Sequence, residues 1–274
     1  MNTPFTSQTL APHSWRLQAN SISLAYSNTV IVSELSVTLP DARMTVIIGP
    51  NGCGKSSLLR ALAGILTPTQ GQVLLDGRPL QRYTTRERAR QVGLLPQVST
   101  APAGITVLDL ISRGRFPHQG WLRQWSEEDE FAVTHALALT RLTGMEHRRV
   151  DELSGGQRQR VWLALVLAQN PCIMLMDEPT TYLDIAHQHE VLELCLQLNR
   201  SQRHTLVMVL HDLNQAARYA DHIIAMKDGK IAAAGTPSEV IHPTVLAHVF
   251  DIDAHIMTDP ITHTPMVVPI PTRP

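Results

Sequence analysis

The chain has 274 residues, a formal net charge of -1 at pH 7 and a sequence pI near 6.9. Its 43% hydrophobic and 17% charged residues are ordinary for a globular protein, and the near-neutral charge argues against nucleic acid as a partner. We expect neither a signal peptide nor a membrane span, because no segment supplies the ~20 apolar residues that a span needs. Any role at a membrane is therefore expected to act through a partner protein.

Cysteine and histidine usage points to a reduced compartment without a structural metal site. Cys53, Cys172 and Cys195 make no disulfide framework. Cys53 lies in a glycine-rich loop, and we expect the other two in apolar surroundings. The 13 histidines show no metal-ligand spacing with cysteines or acids, so we predict no structural metal site.

The first elements in the chain are predicted to be strands. Residues 1–14 are expected to be a loose tail. Alternating apolar positions over 15–26 and 29–39 predict two antiparallel strands joined by a turn at Ser27-Asn28. The apolar, β-branched run 44–48 then predicts a short buried strand.

The next eight residues, 49–56, fit the phosphate-binding pattern G-x-x-x-x-G-K-[ST], and a helix is predicted over 57–63. A chance glycine-rich turn is the alternative, but the order strand, loop, helix argues against it. In that order, backbone N–H groups at the helix start face phosphate oxygens. Lys55 is expected to reach the β- and γ-phosphates, and Ser56 to bind Mg²⁺. The candidate nucleotide-binding residues here are Gly49, Pro50, Asn51, Gly52, Cys53, Gly54, Lys55, Ser56 and Ser57.

The remaining pattern alternates strands and helices, apart from residues 98–152, which show helical segments and no convincing strand. The later strands are predicted over 72–76, 92–95, 172–176, 205–210, a hairpin of 221–227 with 230–234, and a small terminal hairpin of 254–257 with 266–270. The later helices are predicted over 85–91, 106–112, a segment capped by Ser126, 157–169, 185–199, 213–219 and 238–250. We predict four parts: a tail (1–14), an α/β core (15–96 and 153–235), an inserted helical subdomain (97–152) and a C-terminal extension (236–274).

The apolar strand that begins at Cys172 ends in two acids, Asp177 and Glu178. Acids at the carboxyl end of a strand lie where ligands bind in open α/β sheets. Asp177 is expected to hold Mg²⁺ through water, and Glu178 to polarise the attacking water. The alternative is an acidic strand end in solvent, which the phosphate loop upstream makes less attractive.

The run Leu153-Ser154-Gly155-Gly156-Gln157 begins a helix, so its hydroxyl and N–H groups form an anion-binding end. Together with the phosphate loop and the acid pair, it resembles the signature of the ATP-binding-cassette (ABC) ATPases. The resemblance covers roughly residues 15–235. It implies an α/β fold, with a P-loop NTPase core, an antiparallel β subdomain and an inserted helical subdomain. It also implies ATP hydrolysis with ATP and Mg²⁺ as ligands.

Further residues fit that family's order and spacing. Gln97 resembles its glutamine loop, His211 its switch histidine at the γ-phosphate, and Tyr26 the aromatic residue that stacks on adenine. Taken alone, each has a structural alternative: a turn glutamine, a satisfied histidine or a packed strand tyrosine. Leu183-Asp184 resembles the D-loop, and Thr181 stands where the family more often has serine.

The resemblance therefore implies three sets of residues. The catalytic set is Glu178, His211 and Gln97. The Mg²⁺ set is Ser56, Gln97 and Asp177. The set that contacts the ATP of a second subunit is Ser154, Gly155, Gly156 and Gln157.

Four stretches narrow the resemblance: 105–107, 113–119, 178–185 and 210–216. They are similar to the ATPases of importers for ferric siderophores, ferric citrate, hydroxamates and vitamin B12, and look closest to the ferric enterobactin branch. The tail from 259 to 269 also resembles that branch. The implied function is ATP hydrolysis coupled to uptake of an iron(III)-siderophore. Another chelate, such as vitamin B12, ferric citrate or haem, is the alternative.

One phosphate loop and one signature per chain imply a head-to-tail homodimer with ATP at the interface. The resemblance further implies integral membrane permease subunits and, indirectly, a substrate-binding protein, with the ATPase cytoplasmic and peripheral on the inner membrane. Three rivals stay open: a non-transport ABC protein, an ABC exporter subunit, and a P-loop kinase or GTPase. The last would not need residues 153–157. The extension from Pro237 has two equal interpretations, stabilising the dimer or covering a sheet edge.

Overall fold

A computed structural model of the protein describes residues 15–27, 29–97, 100–120, 125–181 and 183–271. The strands are β1 Trp15–Tyr26, β2 Thr29–Pro40, β3 Met44–Ile48, β4 Gln70–Leu75, β5 Arg78–Pro79, β6 Val92–Leu95, β7 Ile173–Asp177, β8 Thr205–Val209, β9 His222–Lys227, β10 Lys230–Gly235, β11 Ala254–Thr258 and β12 Pro265–Pro269. The helices are α1 Lys55–Leu62, α2 Thr85–Gln91, α3 Val107–Ser112, α4 Glu127–Leu139, α5 Gly155–Gln169, α6 Ile185–Gln202, α7 Leu213–Tyr219, α8 Pro237–Val240 and α9 Pro243–Phe250. Within these described ranges, no helix has the length and apolar character needed to cross a membrane.

The central sheet is mainly parallel, with the strand order β10-β9-β3-β8-β7-β6. Every residue of β3, β7 and β8 is buried, as expected of parallel strands that are covered on both faces. Strands β9, β3, β8, β7 and β6 pair in parallel in that order. Because these strands run the same way, the segments that follow β3, β6, β7 and β8 all emerge at one edge of the sheet. Those segments begin with Gly49, Pro96, Glu178 and Leu210.

A second sheet is antiparallel, with the order β2-β1-β4-β5, and corresponds to the predicted antiparallel β subdomain. Helix α1 lies between the two sheets, because Leu58 and Leu62 pack in one cluster with Leu24 of β1 and Ile47 of β3. The direction of α1, and so of the loop before it, is therefore set by apolar contacts to both sheets. In the predicted turn between β1 and β2, Asn28 lies outside the described residues.

Helices α3, α4 and α5 share an apolar cluster of their own. Beside it, Arg115 Nε donates to Asp129 Oδ1 at 2.8 Å, and both side chains are buried. In the described part of 98–152, strand pairing is limited to one isolated bridge between Thr106 and Arg149. The prediction that this region is helical and lacks a convincing strand is thus confirmed, while the predicted domain boundaries stay a prediction.

The predicted single helix over 238–250 is wrong. The chain forms two short helices, α8 and α9, and Pro243 begins the second. A proline pushes the residue before it out of the helical region, and His242 indeed has φ -131 and ψ 144. The terminal hairpin is confirmed, since β11 and β12 pair antiparallel. It packs on α7, where Asn214 bonds both the N–H and the carbonyl of Val267.

The three cysteines lie in different surroundings. Cys172 is exposed, because it lies in the bend between α5 and β7, and the expectation of apolar surroundings is wrong for it. Cys195 is fully buried, and burial raises the pKa of its thiol to about 12. Burial also raises the pKa of Cys53. The two buried thiols are therefore protonated at neutral pH and act as small apolar side chains.

Candidate active site

Two glycines allow the phosphate loop to lie in close contact with both β2 and β9. Gly49 has φ +153, and a Cβ there would lie 2.3 Å from the carbonyl oxygen of Met226. Gly54 has φ +102, and a Cβ there would lie 2.8 Å from Val32 Cγ2. Any larger residue would meet either a backbone atom or a strained dihedral angle. The close approach of the loop to both strands fixes the point at which α1 begins.

The side chains of Lys55 and Ser56 are held in place by contacts within the loop and to β7. Lys55 is only 5% exposed, and its Nζ donates to the carbonyl oxygens of Gly49 and Pro50 at 2.9 Å each. Ser56 Oγ donates to Asp177 Oδ1 at 2.9 Å. The loop and the end of β7 are therefore linked directly through a hydroxyl and a carboxylate.

Asp177 is 1% exposed and ends β7. Burial raises the pKa of its carboxyl above the usual value, the bond from Ser56 opposes this, and the negative charge of Glu178 adds to it. Hydroxyl and carboxylate oxygens suit Mg²⁺, which usually takes one or two protein oxygens and completes its shell with phosphate and water. Among the described residues, no group of three or more His, Cys, Asp or Glu could hold a metal ion. Ser56 and Asp177 therefore fit Mg²⁺ only together with phosphate oxygens.

Glu178 is the centre of a hydrogen-bonded cluster drawn from three strand ends. Its Oε2 accepts from Gln97 Nε2 at 2.6 Å and from Thr181 Oγ1 at 3.0 Å. Its Oε1 lies 2.6 Å from His211 Nε2. The residue has φ +54, a conformation that non-glycine residues adopt rarely and often at functional sites.

Thr181 contacts Glu178 although it was not predicted as a site residue and stands where the family more often has serine. The signal was its position three residues after Glu178, because a turn closes there with the Thr181 N–H donating to the Glu178 carbonyl at 3.2 Å. The structure therefore brings Gln97, Thr181 and His211 onto a single carboxylate. Gln97 does not contact Ser56 or Asp177 among its hydrogen bonds, so its predicted place in the Mg²⁺ set stays a prediction.

These residues surround a cavity of about 550 Å³ in front of the loop. Tyr26, at one end, is 42% exposed, and Arg60 Nη1 lies 3.4 Å from its hydroxyl. Ile31 and Arg60 belong to no sequence motif, so neither was predicted as a site residue. The lining is Tyr26, Ile31, Asn51, Gly52, Gly54, Lys55, Ser56, Ser57, Gln97, Glu178 and His211. Gly49, Pro50, Cys53 and Asp177 support this lining without being part of it.

The signature residues lie apart from that cavity. Ser154 is the N-cap of α5, its Oγ accepts from the Gln157 N–H at 3.2 Å, and Gln157 Oε1 accepts from the Ser154 N–H at 3.1 Å. A Cβ on Gly155 would meet nothing within 4 Å, and Ser154 is exposed. The helix end is thus an open surface, and none of the four signature residues lines the cavity of the phosphate loop.

Asp184 also lies outside the cavity, as the N-cap of α6. It accepts from the His187 N–H at 2.9 Å and lies 2.8 Å from His187 Nδ1. The backbone bond from His187 is the main reason that the pKa of Asp184 lies below its usual value. Ile185, which follows, is 85% exposed. Asp184 and the signature therefore both lie at the surface of a single chain.

Comparison with known proteins decides the family. The family model described as ABC transporter matches residues 32–181. The ferric enterobactin transport ATP-binding protein FepC of Escherichia coli (strain K12) is 50% identical over 255 residues, which cover 93% of this chain and 94% of FepC. This chain belongs to the ABC transporter family.

Other members of the ABC family match over similar lengths. The petrobactin import ATP-binding protein FpuD of Bacillus anthracis is 50% identical over 253 residues, covering 92% of this chain and 93% of FpuD. An ABC transporter described as of metal-chelate type, in an inward-facing conformation, superposes with a TM-score of 0.79 at 27% identity, covering 94% of this chain and 98% of that one. A dimeric cassette, MJ0796 bound to ADP and Pi, superposes with a TM-score of 0.73 at 27% identity. The match covers 80% of this chain and 98% of that one. The ABC ATPase fold and ATP as the nucleotide are thus established for this chain.

Proposed function

We propose that this chain is the ATP-hydrolysing subunit of an importer for iron(III)-siderophore complexes. The observation that carries the proposal is the cluster on Glu178, which lies beside the phosphate loop and bonds Gln97, Thr181 and His211. The names of two relatives that are 50% identical, a ferric enterobactin transport protein and a petrobactin import protein, support the choice of substrate.

Hydrolysis by this cluster needs positioning and charge more than covalent chemistry. Two of the three N–H donors of Lys55 bond the carbonyls of Gly49 and Pro50, which leaves one for a phosphate oxygen. Glu178 accepts hydrogen bonds from the attacking water and takes up its proton. Gln97 and His211 hold the Glu178 carboxylate on both oxygens, so that it faces the γ-phosphate in a fixed orientation.

Ser56 and Asp177 are the residues that would hold Mg²⁺, with Gln97 as a further ligand. When bound, the ion supplies charge neutralisation at the phosphates. The raised pKa of Asp177 reflects a buried carboxylate whose charge the neighbouring hydroxyl only partly offsets, and such a group favours a cation.

The exposed helix end at Ser154, with Gly155, Gly156 and Gln157, completes the site of a second copy. A head-to-tail homodimer places this end on the ATP held by the partner's phosphate loop, with Asp184 at the same interface. The match to cassettes that form dimers supports this arrangement. ATP then acts as an interface ligand, and hydrolysis releases the closed dimer.

The dimer acts on integral membrane permease subunits at the cytoplasmic face of the inner membrane, and indirectly on a substrate-binding protein. The permease contact falls at the helical subdomain, 97–152, inserted in the core of 15–96 and 153–235. A groove of about 630 Å³ lies between this subdomain and α5, and its lining includes Gln97, Pro102, Trp162 and, at the start of α5, Gly155. Gln97 thus belongs to both the groove and the hydrolytic cluster. A permease that displaces Gln97 from the groove side would also displace the hydrogen bond that Gln97 makes to Glu178.

The test is the pair Glu178→Gln and Lys55→Ala in the ATPase reconstituted with its permease. Glu178→Gln is expected to retain ATP binding, to lose turnover by about 10²- to 10⁴-fold and to accumulate an ATP-bound dimer. Lys55→Ala is expected to lose nucleotide affinity. Near-normal hydrolysis by Glu178→Gln would reject the assignment. Stimulation of the wild type by loaded binding protein is expected with ferric enterobactin or ferric petrobactin; stimulation by cobalamin alone would select the other chelate class.

A further inference from the structure

A half-buried glutamine of α6 holds the loop that runs from Glu178 to Asp184. Gln188 Nε2 donates to the carbonyl oxygen of Leu183 at 3.0 Å and to that of Thr180 at 3.3 Å. Carbonyl oxygens only accept hydrogen bonds, so the NH₂ group of this side chain must face the loop. Its oxygen must then face the opposite way.

That oxygen meets the helix that follows His211. Gln215 Nε2 donates to Gln188 Oε1 at 2.9 Å. The Gln215 N–H also donates to Asp212 Oδ1 at 2.9 Å, and Asp212 is the residue directly after His211. Both amide orientations are therefore determined by donor and acceptor chemistry, and the two glutamines join α6 to α7 by one directed bond.

The contacts close into a ring. His211 Nε2 lies 2.6 Å from Glu178 Oε1, and Glu178 begins the loop that Gln188 holds. Both glutamines line, together with Glu178 and His211, a cavity of about 180 Å³. The ring passes from Glu178 through the loop to Gln188, then to Gln215, and returns through His211. The two glutamines thus link the segment after Glu178 to the helix after His211.

We propose that Gln188 is a positioning residue for hydrolysis, which ties the loop carrying Glu178 and Asp184 to the helix that follows His211. This inference rests on the proposed function, because it takes Glu178 and His211 as the hydrolytic residues. Asp184 lies at the expected dimer interface, and Gln188 is four residues further along the same helix. Closure of the dimer on Asp184 is thereby transmitted to Glu178 and His211 by side-chain hydrogen bonds.

Two substitutions at one position separate positioning from packing. Gln188→Met keeps the length of the side chain and removes its hydrogen bonds. Gln188→Glu keeps an acceptor for Gln215 but sets a carboxylate against the carbonyls of Thr180 and Leu183. Each is expected to lower kcat about tenfold with KM for ATP within about threefold of wild type, and Gln188→Glu to be no more active than Gln188→Met.

Matched variants complete the experiment. Gln197→Met changes an exposed glutamine of the same helix and is expected to leave kcat and KM unchanged. Gln215→Met is expected to lower kcat less than Gln188→Met does, and the double variant to be no worse than Gln188→Met, because both act through one chain of contacts. A purely structural glutamine would lower the melting temperature and leave kcat per folded molecule unchanged.

The proposal is overturned if kcat of Gln188→Met stays within about twofold of wild type, if Gln188→Glu is fully active, or if only KM changes. The variant Glu178→Gln, measured in the same assay, separates this outcome from a failure of the proposed function. If Glu178→Gln is inactive while Gln188→Met is normal, only the positioning role falls. If Glu178→Gln hydrolyses ATP normally, the assignment of the hydrolytic residues falls first.

Discussion

Asp177, in the candidate site, and Asp129, in the helical region, are both only 1% exposed, yet their pKa values are displaced in opposite directions. Burial raises the pKa of Asp177, and the hydroxyl of Ser56 only partly opposes it. Burial also acts to raise the pKa of Asp129, but hydrogen bonds from Arg115 and Ser126 outweigh it and hold the pKa below its usual value.

The difference lies in the partner of each acid. Asp129 has a guanidinium at 2.8 Å, while Asp177 has a hydroxyl at 2.9 Å and a second carboxylate as its neighbour in the chain. The buried charge of Asp129 is paired with the guanidinium of Arg115, and the pair stabilises the packing of the helical region. Burial raises the pKa of Asp177 more than the positive charges of Arg60 and Lys55 lower it, so its charge is only partly compensated, costs stability and favours a bound cation. Opposite consequences for stability and activity follow when each acid is altered.

The largest expected loss of stability follows from breaking the buried pair of Arg115 and Asp129 in the helical region. Arg115→Met is expected to lower the free energy of unfolding by about 3–5 kcal/mol, because it leaves the Asp129 charge buried without its partner. Turnover per folded molecule is expected to stay near wild type at a temperature well below the transition. Denaturant unfolding and ATPase assays on the same preparation check both.

The double variant Arg115→Met/Asp129→Leu is the control for Arg115→Met, since it removes the stranded charge. It is expected to regain most of the lost stability. Two results would contradict the proposed role of the buried pair in stabilising the helical region. One is a single variant as stable as wild type, and the other is a double variant no more stable than the single one.

On the site side, Asp177→Asn is expected to reverse the pattern. Turnover should fall about 10²-fold or more, because the substitution removes a charge from the phosphate site. The free energy of unfolding without nucleotide should be unchanged or higher, because a buried charge with weak compensation is removed. Asp129→Asn is the matched control and should lose stability while keeping turnover. A large loss of stability in Asp177→Asn would contradict the comparison.

The two acids should also give opposite pH dependence. Asp129 has a folded pKa below its unfolded value, so its stabilisation is present above the unfolded pKa and is lost as pH falls through the folded pKa. Asp177 has a raised folded pKa, so its ionisation costs stability as pH rises from the unfolded pKa through the folded one. Each unit of displacement is worth about 1.4 kcal/mol.

Urea unfolding of wild type, Asp129→Asn and Asp177→Asn from about pH 7 to about pH 3 measures these slopes. The loss of stability in acid should be smaller in Asp129→Asn than in wild type and larger in Asp177→Asn. Parallel curves for the three proteins would mean that neither acid differs in pKa between its folded and unfolded states.

Much of the site was predictable because it depends on local patterns. The buried apolar runs of β3, β7 and β8 indicate strands whose carboxyl ends meet at one edge of the sheet, which places Lys55 and Glu178 there. The role of His211 was implied only by the family resemblance. Pro243 was equally visible in the sequence, and its ring and missing N–H are enough to exclude the single helix predicted over 238–250.

What could not be predicted depends on contacts between distant or unpatterned residues. Arg115 lies in the stretch 113–119, which indicated only a family resemblance, and Asp129 belongs to no motif. Their pairing depends on how the 3-10 turn at 113–118 packs against α2, α3 and α5. Gln188 and Gln215 look like ordinary polar helix residues, and only the packing of α6 beside α7 brings their amides to 2.9 Å. A sequence pattern shows which face of an element is apolar, not which polar side chains meet across two elements.

The smallest expected loss of stability comes from a neutral side chain, Asn214, which links α7 to β12 by hydrogen bonds. It therefore tests whether charge explains the large loss expected for Arg115→Met. Asn214 Oδ1 accepts from the Val267 N–H at 2.7 Å, and Asn214 Nδ2 donates to the Val267 carbonyl at 3.3 Å. Asn214→Ala is expected to cost about 1 kcal/mol of unfolding free energy, and to speed hydrogen exchange of the Val267 amide, with turnover near wild type. Asn20→Ala, at an exposed position of β1, is the control. If Asn214→Ala cost as much as Arg115→Met, charge would not be what makes the scaffold pair expensive to break; a clear gap between the two would assign that difference to the buried charge of Asp129.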